Sequence, residues 1–308
     1  MNLSVPNSGY LALREAAAWL DVSARGKILV LGEDRARLLH AMTTNQVQEL
    51  KPGQGCYALF LNAQGRILAD VDILCFEDHL LLDTEPELRT KILEHLDRYI
   101  IADDVTLEDV TGQLAATALE GPRAAEFLAA FGAPAPVELW SHAQWGDSTV
   151  QRTPTGFLIL GAAGLRERLA EAGVPQVSFE DARIVRLEQG RPRYGEEITD
   201  RHLVQETGLM HAVSFTKGCY LGQEIVERVR SRGQVHKQLR GIQIDTNEPP
   251  EPGAKLTSQG TDAGEIMSSA YSPALGKSVA IAYVRGPFAD PGTELSLGTL
   301  PARVIFTR

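Results

Sequence analysis

Cysteine is scarce in this chain. Its 308 residues hold three, Cys56, Cys75 and Cys219, and no C-x-x-C spacing occurs. An odd, scattered set builds no disulfide framework and suits a reducing compartment. Three sulfurs also fall short of a four-thiolate zinc or cluster site, and His202 and His211 match no standard ligand spacing. No apolar run reaches the roughly eighteen residues of a membrane-spanning helix. The N-terminus, "MNLSVPNSGYLALREAAAWLDVSARG", has no basic segment leading into an apolar run, and Glu15 and Asp21 interrupt it. Neither a signal peptide nor a mitochondrial transit segment is expected, which leaves the cytoplasm. Positive charge is the minority sign, and the formal net charge is −10. That balance argues against broad attraction to nucleic acid or to an anionic membrane.

The chain is long enough for two or three domains with their own cores. "KILVLGEDRARLLHAM" reads as a strand over Lys27 to Leu31, then a helix with Leu38, Leu39 and Met42 on one face. "CYALFLN" and "GRILADVDILCF" read as strands joined by the Ala63-Gln64-Gly65 turn. "HLLLDT" leads into a helix near Glu87 to Tyr99, and "DVTLEDV" closes a first unit. A similar order restarts at "QLAATALEGP", with helices "RAAEFLAAF" and "LRERLAEAG" around the strand "GFLILG". Two strand-helix-strand units of this kind predict duplicated α+β subdomains with antiparallel or mixed sheets. "SFEDARIVRLEQG" predicts a helix with Ser178 as cap and Asp181 completing a capping box, stopped by Gly190. Beyond it, "LRGIQID", "AKLTSQG", "AGEIMSSAY", "SVAIAYVR", "TELSLG" and "ARVIFT" are short strands separated by Pro- and Gly-rich turns. Such spacing without a helix predicts a small β-barrel or sandwich. The expected domains are 1–112, 113–235 and 236–308, the last boundary falling near Gln234 to Lys237.

Chemistry concentrates in "SFTKGCYLGQEIVERVRSRGQVHKQLRG". From Lys217 to Arg240 six basic residues stand against two acidic ones, a local contrast to an acidic body. An anion site and a solvated helix face both account for it. Cys219 precedes a helix whose apolar face is Ile225, Val226 and Val229. A helix N-terminus and Lys217 both favour a thiolate, hence a nucleophile or redox-sensitive group. Free cysteine is equally a small residue that packs in cores. No neighbouring His or Asp offers a general base. Gly218 and Gly222 permit tight turns, while Gln223 and Glu224 suit the first turn of a helix.

"KGCYLGQE", followed by Arg228 and Arg232-Gly233, resembles the signature of the YgfZ family of folate-binding proteins, relatives of the glycine cleavage T-protein. "RLEQGRPRYGEEI", "LNAQGRILADVDIL" and "SPALGKSVAIAYV" extend the similarity from about Lys27 to the C-terminus. The resemblance implies an α+β fold, with two ferredoxin-like, GcvT-type subdomains around a central folate channel plus a C-terminal β-barrel. It also implies a tetrahydrofolate-binding accessory protein that works with iron–sulfur proteins or assembly factors and affects tRNA modification indirectly, without direct nucleic-acid contact. The alternative is an aminomethyltransferase-like one-carbon transferase dependent on tetrahydrofolate, and a third reading is a scaffold with a vestigial channel.

On the T-protein comparison, Asp70 corresponds to the second aspartate of a hairpin that orients the folate amine, and Ala69 replaces the first. Leu158 stands where a pterin-gripping glutamate is expected, and Ala182 stands beside Arg183 where an arginine is expected. The implied catalytic residues are Cys219 and Asp70. The implied folate contacts are Asp70, Lys217, Gly218, Tyr220 and Gly222, with Gln223, Glu224 and Arg228 on the helix that follows. Tyr194 stacks on a ring or packs. Lys217 and Arg228 would hold folate's acidic tail. Nothing in the sequence demands more than a monomer.

Overall fold

The computed structural model describes residues 8–161, 164–233 and 235–306. Gln234, at one expected boundary, lies outside the described residues, as do the first seven of the N-terminal segment. By contacts the chain forms two compact units. The first takes the described residues up to Phe60, Ala69–Ala182 and Ala212–Tyr220. The second takes Leu61–Leu68, Arg183–His211 and the described residues from Leu221 onward.

The first unit begins with α1 (Ser8–Glu15), β1 (Ala18–Asp21), β2 (Gly26–Leu31) and α2 (Arg35–Met42). It continues through β3 (Gly55–Leu61), β4 (Ile67–Cys75), β5 (Leu80–Thr84), α3 (Arg89–Asp97) and β6 (Thr106–Asp109). A second run follows, with β7 (Ala116–Glu120), α4 (Ala124–Ala130), β8 (His142–Trp145), β9 (Ser148–Thr153), β10 (Gly156–Leu160) and α5 (Leu165–Glu171). Two five-stranded sheets result, ordered β3-β4-β5-β2-β6 and β1-β7-β10-β9-β8.

Strand β4 shows why the sheets face each other. Ala69, Val71 and Ile73 are buried on one side, and the alternation turns Asp70, Asp72 and Leu74 to the other. Leu74 and Leu81 pack with Ala116, Leu158 and Leu160 of the opposite sheet. The far side of the second sheet, with Trp19, Val150, Phe157 and Ile159, is covered by Leu128 of α4 and Leu165 and Leu169 of α5. Here the structure differs from the expected domains. Strand β1 lies within 1–112 yet pairs antiparallel with β7, and Trp19 joins the second sheet's core. The sequence order of the duplicated units is therefore not their spatial partition.

In the second unit, α6 (Phe179–Glu188) enters from Arg183. Its predicted capping box is present: Ser178 Oγ accepts from the Asp181 N–H at 3.1 Å, and Asp181 Oδ2 accepts from the Ser178 N–H at 3.2 Å. Gly190, at φ 63, ends the segment. Then come α7 (Val204–Thr207), α8 (Gln223–Arg232), β11 (Lys237–Ile244), β12 (Lys255–Ser258), β13 (Thr261–Ser272), β14 (Lys277–Arg285), β15 (Glu294–Leu297) and β16 (Leu300–Phe306). The last six strands close into a barrel, β11-β14-β13-β12-β15-β16, around Ile242, Ile244, Leu256, Ile266, Ala282 and Val304. Leu187 of α6 packs on the barrel's outside with Leu239, Val279 and Ile281. No helix of the described residues is long and apolar enough to cross a membrane.

Candidate active site

Asp70 and Asp72 lie two residues apart on one strand, so the pleat presents them together toward the second sheet. Tyr57, on β3, donates its phenol to Asp70 Oδ2 at 2.9 Å. Asp70 Oδ1 is sealed from solvent and finds no hydrogen-bond partner in any other of the described residues. Burial and the nearby Glu85 carboxylate push the Asp70 carboxyl up to about 6, against the pull of Tyr57 and Arg25. Asp72 is gripped by Gln151 of the opposite sheet and by Trp140 of the segment leading into β8. Trp140 Nε1 donates to its Oδ1 at 2.9 Å and Gln151 Nε2 to its Oδ2 at 3.3 Å. Burial, then Asp83, raises Asp72 to about 7.

Asp83 is directly across the ladder from Asp72 and is also raised by burial, offset by Arg25. The Arg25 guanidinium reaches Asp83 Oδ2 at 2.7 Å and Glu85 Oε1 at 2.7 Å. Tyr57 and Trp140 are near-parallel, with centroids 6.1 Å apart and planes 15° off. Two carboxylates, Asp83 and Glu85, therefore pair with one guanidinium, while Tyr57 and Trp140 hold two further acids, Asp70 and Asp72, by their polar edges. Carboxyls held near neutrality can give or take a proton at working pH.

The remaining sequence-predicted residues divide between the two units. Lys217, Gly218, Cys219 and Tyr220 belong to the first unit, and Gly222, Gln223, Glu224, Arg228 and Tyr194 to the second. Lys217 requires a correction. Its ammonium is buried and donates to the carbonyls of His40, Thr43 and Asn45, the last two at 2.6 and 2.9 Å. It closes the C-terminal end of α2, where carbonyls lack helical partners, instead of reaching for an acidic tail. The Tyr220 ring lies 4.9 Å from that ammonium, and burial pulls Lys217 down to about 8.

Cys219 is exposed, three residues ahead of Gly222, the N-cap of α8. It does not stand in the helix's first turn, where the dipole acts most strongly. Cys56 and Cys75 are buried, and burial pushes the Cys56 thiol up to about 12. Gly218 has no left-handed φ, and the nearest atom to an added Cβ is 3.9 Å away, so no tight turn depends on it. Gly222 does need glycine: its φ is 85, and a Cβ would sit 2.6 Å from the Asn62 carbonyl oxygen.

The basic run does not gather into one patch. Arg240 donates to the Ala289 carbonyl at 2.7 Å, and the Lys237 ammonium lies 4.6 Å from the Tyr283 ring centre. Arg230 pairs with Glu227 at 3.5 Å. Arg228 and Arg232 line a cavity of about 230 Å³ with Gln205, Glu206 and His236. Tyr194 is buried beside the segment whose Glu197, fully buried, takes both guanidinium nitrogens of Arg186 and the Arg193 N–H. Arg183 is held by Glu196 at 3.0 Å and by the Ser269 carbonyl at 3.0 Å. "RLEQGRPRYGEEI" therefore builds the second unit's interior. Among the described residues no group of His, Cys, Asp or Glu is placed to hold a metal ion.

Sequence reasoning missed Tyr57, Asp72, Trp140, Gln151, Arg25 and Asp83. Asp72 was accessible, because a period of two puts it on the face of Asp70. The partners from 140 and 151 were not, because only sheet packing brings them near.

Residues 5–156 match the GCVT N-terminal domain, and residues 237–307 match the glycine cleavage T-protein C-terminal barrel domain. An aminomethyltransferase of Rubrobacter xylanophilus is 30% identical over 311 residues, which cover 96% of this chain and 83% of that protein. The chain belongs to the glycine cleavage T-protein family. A chloroplastic protein of Arabidopsis thaliana, named as a transferase, is 28% identical over 301 residues, covering 91% of this chain and 68% of that one. The fold follows the family. The solved glycine cleavage system aminomethyltransferase T of Bartonella henselae superposes with a TM-score of 0.86 over 97% of this chain and 87% of that one, at 23% identity. Within that T-protein fold Leu158 is buried in an apolar cluster, so this member has no carboxylate there.

Proposed function

We propose that this T-protein family member binds a reduced folate against the Asp70–Asp72 face of β4 and uses it in one-carbon transfer of the aminomethyltransferase type. The observation that carries the reading is Asp70: one oxygen is fixed by Tyr57, and the other is a buried acceptor that meets no donor from another of the described residues. A buried acceptor short of partners is costly, and an N–H donor from a ligand would relieve that cost. Bound tetrahydrofolate would supply the amine that accepts the one-carbon unit. Asp70, near 6, is ionised at neutral pH and still basic enough to orient or take a proton at that amine. The aminomethyltransferases among the relatives support the same chemistry.

The test is calorimetric titration with tetrahydrofolate, followed by ammonia release from an aminomethylated lipoyl carrier. Asp70→Asn is expected to keep folate affinity within about tenfold and to lower turnover by roughly 10²–10⁴-fold. Wild-type protein that ignores reduced folates up to millimolar concentration would remove the reading.

A second reading, a folate-binding accessory role for iron–sulfur proteins of the YgfZ kind, is favoured by one observation: Cys219 is the exposed thiol of the three and sits within "KGCYLGQE". In this reading Cys219→Ala folds and binds folate but fails to rescue a strain lacking the homologue. Full rescue by that variant, together with ammonia-releasing turnover in vitro, would leave only the transferase.

A further inference from the structure

We propose that Asp72 is a ring-recognition residue, held by Trp140 and Gln151 to receive the 2-amino-4-oxo-pyrimidine edge of a reduced folate. The proposal rests on the folate reading above and names the group that would read the ring.

Each Asp72 oxygen already accepts one N–H, from Trp140 at 2.9 Å and from Gln151 at 3.3 Å. An ionised carboxylate has about four acceptor sites, so each oxygen keeps one. Two parallel acceptors of this kind match two adjacent N–H donors on a flat ring. The neighbouring Tyr57 and Trp140 rings, near-parallel, give that ring an aromatic border.

The placement of Trp140 is built at a conformational cost. Its φ is 63, a left-handed value that a bulky residue rarely adopts. Its backbone is also seated tightly, since a Cβ on Gly55 would lie 2.5 Å from the Trp140 carbonyl oxygen. Gln151 adds an independent observation. It is 0% exposed, and its Oε1 has no hydrogen-bond partner among the described residues. The same amide holds Asp72, so this unpaired acceptor lies beside the carboxyl. Across the ladder Gln151 pairs with Leu158, which packs among leucines, so the polar half of that pair is Gln151. Asp83, opposite Asp72, likewise has an Oδ1 with no hydrogen-bond partner among the described residues, while Arg25 holds the other oxygen. Buried acceptors here outnumber the donors that the described residues supply. Asp72, near 7, can ionise when a donor-rich edge arrives.

Pterins and guanine share this edge, and the experiment separates them. The intact chain is titrated with tetrahydrofolate, with its 2-desamino analogue and with guanosine. Wild type is expected to prefer tetrahydrofolate over the analogue by about 10²-fold or more, because a site built for hydrogen bonds rejects a ligand lacking them. Asp72→Leu is expected to shrink that preference to about threefold or less. Should its melting curve show that it does not fold, Gln151→Met serves instead, leaving Asp72 in place without one anchor and reducing the preference in the same direction. A purely structural role would weaken both ligands alike. An unchanged preference in a folded variant, no preference in wild type, or tighter binding of guanosine than of tetrahydrofolate would overturn the proposal while the folate reading stood. Failure of wild type to bind tetrahydrofolate at all would overturn both.

Discussion

Lys217 closes the end of α2 by donating to three carbonyls more than 170 residues earlier in the chain. Lys217→Met removes that shared donor and is expected to cost about 3 kcal/mol or more in unfolding free energy. Folate affinity measured well below the melting point should not change, whereas a tail-binding lysine would lose it. Thiol chemistry offers a second measurement. Iodoacetamide on native protein is expected to modify Cys219 and spare Cys56 and Cys75, which peptide mass spectrometry would read directly. Lysine 217 was legible as a residue that matters, because its motif is dense with glycine and charge. Its use was not, because a helix end that far away in sequence leaves no local pattern.

Elements whose apolar residues face one core were readable: the α2 helix, β4 and the barrel strands all follow their periodicity. Strand β9, "STVQRT", was not, and the reason is physical. Gln151 faces the opposite sheet's acids, so a buried position carries a polar residue and the hydrophobic alternation disappears. Strand β1 was lost for a different reason, its short length and its pairing with β7 across the expected boundary. Glycine at 222 fixes the start of α8. Gly222→Ala meets both a left-handed φ and an oxygen 2.6 Å away, and should destabilise by about 2 kcal/mol or more. Gly55→Ala is a sharper probe of the acidic face. It displaces the Trp140 backbone, so quenching of Trp140 fluorescence by its surroundings should change along with stability.

For the whole molecule, the two raised carboxyls set a pH dependence of known sign. Between about 4 and 7 the native state binds more protons at Asp70 and Asp72 than the unfolded chain does, so their contribution to stability falls as pH rises. Asp72→Asn should flatten that slope and raise the melting temperature at pH 8 by a few degrees, roughly 2–4 °C per kcal/mol recovered. His202 acts oppositely in the second unit. Stacked on Tyr283 and pulled down to about 4 by burial, it disfavours the native state as pH falls below its ordinary value. His202→Phe should therefore protect barrel amides from exchange at pH 5 more than at pH 7.5. A formal charge of −10 counts every carboxylate as ionised. With Asp72 still partly protonated near neutrality and Asp70 just below it, the native protein is less anionic than its sequence implies and acts as a small internal buffer. A ligand that drives those protons off would acidify an unbuffered solution as it binds.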